Sequence, residues 1–263
     1  MYTKILSWWQ SKNIKTSADL AEVLNSNKIS FAYNSSKIEN AKVTYFATQE
    51  IFEHDKVSSY TGDLRTLYEL HNARIAYDYF LDCFSEKHAL DETFLKKLQK
   101  RLTMNTYDAF IWHQGERPGT YKLGYYVTGK DKIGALPEDV HDEINELLEQ
   151  LQEVDNKNAL TVAAYFHVKF ENIHPFADGN GRTGRLAMNY FLVLHNHPPI
   201  TIYEEDRNEY FSALEAWEKA QSLEPMQKFL IAQAEKTWAK RIARYKGSTR
   251  QEKSLDDIIK AGF

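Results

Sequence analysis

The sequence is short of glycine and proline. It has 11 and 6 of them in 263 residues, about 6.5% together, against an average of about 12%. So few turn formers argue against many-stranded sandwiches and barrels, which need frequent Gly, Pro and Asn turns. The single cysteine, Cys83, excludes an internal disulfide and a cysteine-rich zinc site, and it suits a reducing cytosol. A basic excess is lacking too: 33 Lys and Arg stand against 37 Asp and Glu, for a net charge of −4. That argues against a dedicated nucleic-acid binder. No apolar run approaches the ~18 residues that predict a membrane span. Ser7, Gln10, Ser11 and Lys12 interrupt the apolar residues near the start, so no signal peptide is expected. The expected setting is cytoplasmic, with neither membrane nor nucleic acid as a partner.

What is present describes a folded chain. Hydrophobic residues make 43% and aromatics 13%, which disfavours disorder. A chain of this length can bury roughly three-quarters of its unfolded surface. The expected fold is all-α with one small β-hairpin. Thr16-Ser17, Asp63 and Asp91 are helix N-cap candidates and a further helix is expected to start near Thr44, each followed by apolar residues at helical spacing. Pro137 suits the first position of a further helix, Asn158 can cap the next, and Pro198-Pro199 ends the one after. Helices are expected around Glu205–Trp217 and Pro225–Tyr245, and the polar tail after Gly247 is expected to fray. Five glycines fall between Gly115 and Gly134, interleaved with Tyr121, Tyr125, Tyr126 and Val127. That stretch is expected to form the hairpin, or flap.

The segment His174-Pro175-Phe176-Ala177-Asp178-Gly179-Asn180-Gly181-Arg182-Thr183-Gly184-Arg185 lies between two strongly helical stretches. It is expected to be a loop running into a helix N-terminus, where unpaired N–H groups and the helix dipole favour an anion. Its glycines let the backbone close around that anion. Arg182 and Arg185, three apart, share a helix face and can clamp phosphate oxygens. Asp178 is a hard oxygen donor suited to Mg²⁺ bound together with phosphates. His174 has an ordinary pKa of ~6.5, suited to a general base. Base, metal ligand and anion cradle within one loop predict phosphoryl or nucleotidyl transfer.

The segment resembles the Fic family signature, His-x-Phe-x-Asp/Glu-Gly-Asn-Gly-Arg-x-x-Arg, at every defined position. Pro118-Gly119-Thr120-Tyr121-Lys122 resembles the stretch before the family's flap, with Lys122 where Arg is commoner. Arg207 and Tyr210 resemble the Arg-x-x-Tyr after its core. The resemblance implies a Fic core over 61–220, an N-terminal helical region over 1–60, and a C-terminal helix and tail over 221–263. It also implies adenylyl transfer. His174 takes the proton of a protein Ser, Thr or Tyr hydroxyl, which attacks the α-phosphate of ATP, and pyrophosphate leaves. Asp178 holds Mg²⁺, Gly179, Asn180 and Gly181 form the anion hole, and Arg182 and Arg185 hold the outer phosphates, with Thr183 and Gly184 in the same ATP-binding turn. Phe176 anchors the loop in the core. Thr128, Gly129 and Lys130 touch the nucleotide, Tyr210 and Phe211 line the adenosine pocket, and the flap at Gly115–Gly134 docks the target protein as an added strand. A homodimer is a further partner that the resemblance implies.

Ser35-Ser36-Lys37-Ile38-Glu39-Asn40 fits the family's inhibitory motif, Ser/Thr-x-x-x-Glu-Gly/Asn, at Ser35, Glu39 and Asn40. Glu39 is then expected to pair with Arg185 and exclude the γ-phosphate. The alternatives are γ-phosphate transfer of the Doc kind, removal of AMP from a modified target, and nucleotide binding without turnover. The Doc anion loop departs from the Gly-Asn-Gly-Arg intact here.

Overall fold

A computed structural model describes residues 1–58, 60–126, 134–151 and 158–248. Twelve α-helices lie in these residues: α1 (Tyr2–Gln10), α2 (Ser17–Leu24), α3 (Lys28–Glu39), α4 (Tyr45–His54), α5 (Leu64–Glu86), α6 (Glu92–Thr103), α7 (Ala109–His113), α8 (Val140–Gln150), α9 (Ala159–Ile173), α10 (Asn180–Leu194), α11 (Arg207–Ala220) and α12 (Glu224–Ser248). Asn158 precedes α9 without the expected side-chain capping bond, but other caps are in place. Thr16 accepts from Asp19 N in a reciprocal capping box, and Thr44, Asp63 and Asp91 accept from Ala47 N, Thr66 N and Phe94 N.

α9 and α10 form a hairpin at the centre, packed by α5, α6, α8, α11 and α12. Both are apolar on several faces, with Ala163, Phe166, Phe170 and Ile173 of α9 and Ala187, Met188, Tyr190 and Leu192 of α10 all buried. One apolar cluster runs from Ile5 to Ile242. It closes where Trp8 and Trp9 of α1 meet the ring of Trp238 on α12, at 5.4 and 5.6 Å. None of the described helices is long and apolar enough to cross a membrane.

Four expectations change. α1 and α7 have no counterpart in the sequence reading. Pro137 stands in a turn ahead of α8, which starts at Val140. Residues 34–39, for which no helix was expected, are the C-terminal end of α3, with Asn40 as its C-cap. The described part of the expected hairpin carries no strand. The backbone groups of its first limb find other partners. Leu123 N and Gly124 N donate to Glu116 Oε1 at 2.7 and 3.0 Å, and Lys122 N donates to Pro175 O at 2.9 Å. On the returning side Ala135 N donates to Ile173 O at 2.9 Å. Both feet of the flap are therefore fastened to the His174 loop. The flap tip, with Val127, Thr128, Gly129 and Lys130, lies outside the described residues, as does the tail from 249.

Candidate functional site

The site is the turn between α9 and α10. His174 caps α9 in the left-handed region, at φ 51° and ψ 63°, with its N–H donating to Phe170 O. A non-glycine residue there carries strain that its surroundings must hold. The strained turn aims the chain back across the end of α9 and into the start of α10. Asn180 closes the loop: its Nδ2 donates to Phe176 O at 2.7 Å and its Oδ1 accepts from Phe176 N at 2.9 Å. The Asn180 side chain is thus a brace, and only its backbone N–H remains for an anion. Phe176 is buried between Tyr121 and Phe170, as its expected anchoring role requires. Gly179 is left-handed at φ 82°, and an added Cβ there would strike Thr103. The cradle is consequently the first turn of α10, which begins at Asn180 and has no side-chain cap. Its leading N–H groups are open to a ligand.

The charges converge on this turn. Arg185 is buried, and its Nη2 donates to Glu39 Oε1 at 2.8 Å and to Ser35 O at 2.8 Å, while its Nε donates to Ser35 Oγ at 3.1 Å. The expected Glu39–Arg185 pair is therefore formed. A Cβ placed on Gly181 would land on Glu39 Oε1, so the carboxylate sits directly on the cradle. Burial would raise the Glu39 carboxyl, but Arg185, with Arg182 and Arg207 behind it, holds it below its ordinary range.

Asp178 accepts from Gly179 N and Arg182 Nη2 on Oδ1 and from Arg65 Nη2 on Oδ2, the last at 2.8 Å. Among the described residues no three His, Cys, Asp or Glu side chains gather to cage a metal ion. One partly exposed carboxylate beside an anion cradle still fits Mg²⁺, which commonly takes one or two carboxylates and fills its other positions with phosphate and water.

His174 lies deep in the site. Burial first, and then the Lys122 ammonium, lower its pKa to about 4, so the ring is neutral near pH 7. A neutral imidazole keeps one ring nitrogen able to accept a proton. Tyr210 and Phe211 separate. Tyr210 is 1% exposed, with its hydroxyl 2.8 Å from His167 Nε2 and accepting from Arg185 Nη1. It supports the arginine from behind, and its ring faces core. Phe211 is 42% exposed, so it alone of the two is open to a ligand. Thr183 and Gly184 are inside α10 and packed: a Cβ on Gly184 would meet Glu171 and Phe170.

Five residues that the sequence reading passed over shape the site. Gln99 donates to Asp178 O at 2.8 Å. Glu116 holds the flap limb, Glu171 lies behind Gly184, and Arg65 and Glu69 reach Asp178 and Arg182. Only Arg65 and Glu69 carried a local signal, a charge pair four residues apart after the Asp63 cap.

Residues 89–192 match the family model described as the Fic/DOC family. A protein adenylyltransferase Fic of Nematostella vectensis is 38% identical over 86 residues, 32% of this chain and 20% of that protein. Its counterpart in Drosophila persimilis is 41% identical over 75 residues, 28% of this chain and 15% of the relative. The matched stretches thus span a fifth or less of these two relatives. Solved structures are similar over nearly the whole chain. A Fic-domain-containing signaling protein of Bacteroides thetaiotaomicron matches with a TM-score of 0.77 at 23% identity, over 94% of this chain and 97% of that one. Residues 134–508 of Fic-1 from C. elegans match with a TM-score of 0.74 at 21% identity, over 94% of this chain and 73% of that one. At such identities the likeness concerns the fold.

Proposed function

We propose, from the premise that residues 89–192 form a Fic/DOC family domain, that this chain transfers AMP from ATP to a hydroxyl side chain of a protein and is held inactive by its own Glu39. One observation carries the reading. A carboxylate of the chain already lies on Gly181 and Arg185, where a phosphate anion belongs, and a neutral histidine stands at the other end of the same turn.

The chemistry follows from the placement. ATP phosphates take the open N–H groups at the start of α10 and the guanidinium groups of Arg182 and Arg185. Asp178 would hold Mg²⁺ against them, and the ion would supply charge neutralisation at the phosphates. The target hydroxyl gives its proton to the unprotonated ring nitrogen of the neutral His174 imidazole. Its oxygen forms the new bond to the α-phosphorus, the bond to the bridging oxygen breaks, and pyrophosphate leaves with that bond's electrons. Nearby phosphate charge raises the pKa of His174 toward the working range of a base. The target is docked on the flap. With Glu39 on Arg185, ATP cannot place its outer phosphates on that guanidinium, so the in-line geometry is lost.

The test uses ATP labelled at the α-phosphate. Glu39→Gly should raise label transfer by about tenfold or more, the scale of one charge-assisted hydrogen bond. His174→Ala in that background should abolish it, and mass spectrometry should find AMP on a Ser, Thr or Tyr. Unchanged transfer in Glu39→Gly would remove the brake from the reading. Full transfer in the His174→Ala variant would remove the base.

A further inference from the structure

Asp178 is paired with a cation that the nucleotide reading does not use. Arg65, at the start of α5, donates from Nη2 to Asp178 Oδ2 at 2.8 Å and from Nε to Glu69 Oε1 at 3.1 Å. The other oxygen of Glu69 accepts from Asn40 Nδ2 at 2.7 Å. Arg182 Nη1 lies 3.8 Å from Glu69, and its Nη2 lies 3.3 Å from Asp178. Asn40 is the residue after Glu39. A continuous chain of polar contacts therefore runs from the end of α3 through Glu69 and Arg65 to Asp178.

The charge count decides what this cluster can tolerate. Two arginines balance two carboxylates. A divalent cation at Asp178 would add two positive charges beside arginines that already occupy both carboxylate oxygens, so it competes with them for that carboxylate. Arg182 is only 5% exposed in its side chain, whereas Arg65 is 47% exposed and has a route to water. Arg65 is the one free to leave.

We infer that Arg65 is a positioning residue that occupies the divalent cation's place on Asp178 in the braked chain, and that Asn40, through Glu69, ties its release to movement of α3. This inference rests on the adenylyl-transfer reading. The inhibitory helix then acts twice, through Glu39 on the phosphate arginine and through Asn40 on the metal ligand.

The test measures metal linkage, apart from turnover. In the Glu39→Gly chain, calorimetry gives the affinity for a non-hydrolysable ATP analogue with Mn²⁺ and with EDTA, and their ratio is the gain due to metal. Arg65→Gln should increase that ratio roughly threefold to tenfold, the range for a partly exposed charge pair. Arg65→Lys should restore the original ratio in part. Asn40→Ala should raise the ratio by less, and its effect should not add to that of Arg65→Gln. A ratio unchanged or lowered by Arg65→Gln, with the melting temperature intact, overturns the inference. An effect of Arg65→Gln without one of Asn40→Ala overturns the link to α3. Asp178→Asn separates the levels. If it leaves the ratio unchanged, the magnesium reading falls and this inference with it. If it collapses the ratio while Arg65→Gln does nothing, the inference alone falls. Failure of every variant to bind the analogue overturns the transfer reading and this inference together.

Discussion

Glu171 shows how much one buried group can set. Its Oε1 is sealed from water with no hydrogen-bond partner, behind Gly184. Burial, opposed by Arg185, raises its pKa from 4.5 to about 7. The folded state therefore favours the protonated acid. Its stabilising contribution is complete below about pH 4.5 and is lost as pH rises through 7. Glu171→Gln keeps the shape and removes the titration, so its stability relative to the parent should increase from pH 5 to pH 8. The residue as a whole is only half-buried, so the expected change is about 1–2 kcal/mol and not the roughly 3 kcal/mol of the full shift. Melting curves at several pH values read it, and a pH-independent difference would contradict it. The neutral His167 and His174 act in the opposite sense, losing stability as pH falls from 6.5 toward about 3 and about 4 respectively, but they are common to both chains.

At the level of elements, a side chain holds the first limb of the flap. Glu116 is buried, and its Oε1 accepts from Leu123 N, Gly124 N and Tyr126 OH. Glu116→Ala leaves two backbone donors without an acceptor, at a cost of about 1–3 kcal/mol. The limb should then lose its course. KM for the protein target should rise about tenfold, with ATP affinity unchanged. Glu116→Gln retains the acceptor and should behave like the parent. Equal losses for ATP and target in Glu116→Ala would contradict a role confined to the flap. The same element explains what the sequence could and could not reveal. The tyrosines and spaced glycines of 115–134 carry a hairpin pattern, but strand pairing is decided by where backbone groups find partners. Here Glu116 and the 173–175 loop supply them. Caps such as Asp63 and Asp91 are local and were readable from three or four residues. The roles of Arg65 and Glu69 arise only when α5 is brought against a loop 113 residues away from Arg65. Tyr210 illustrates the converse. Its motif pointed to a nucleotide pocket, and tertiary packing placed its ring against His167 and Phe229.

The molecule as a whole is closed by tryptophan. Trp238 is fully buried, its Nε1 donates to Pro199 O at 2.8 Å, and its ring touches both Trp8 and Trp9. It joins α12 to α1 and to the segment leaving α10. Trp238→Ala should cost about 3–5 kcal/mol. Because α1, α10 and α12 share one apolar cluster, near- and far-ultraviolet circular dichroism should report a single shifted transition. Two separated transitions would show that the ends fold apart from the centre.

The left-handed turn at His174 has a practical consequence for genetics. An alanine placed there loses the imidazole but inherits a backbone conformation that costs an ordinary L-residue roughly 1–2 kcal/mol. A silent alanine allele could then report a collapsed loop as easily as a missing base. Asparagine tolerates that conformation and has no proton-accepting ring. His174→Asn is therefore the cleaner dead allele, and comparing it with His174→Ala separates the shape of the turn from its chemistry.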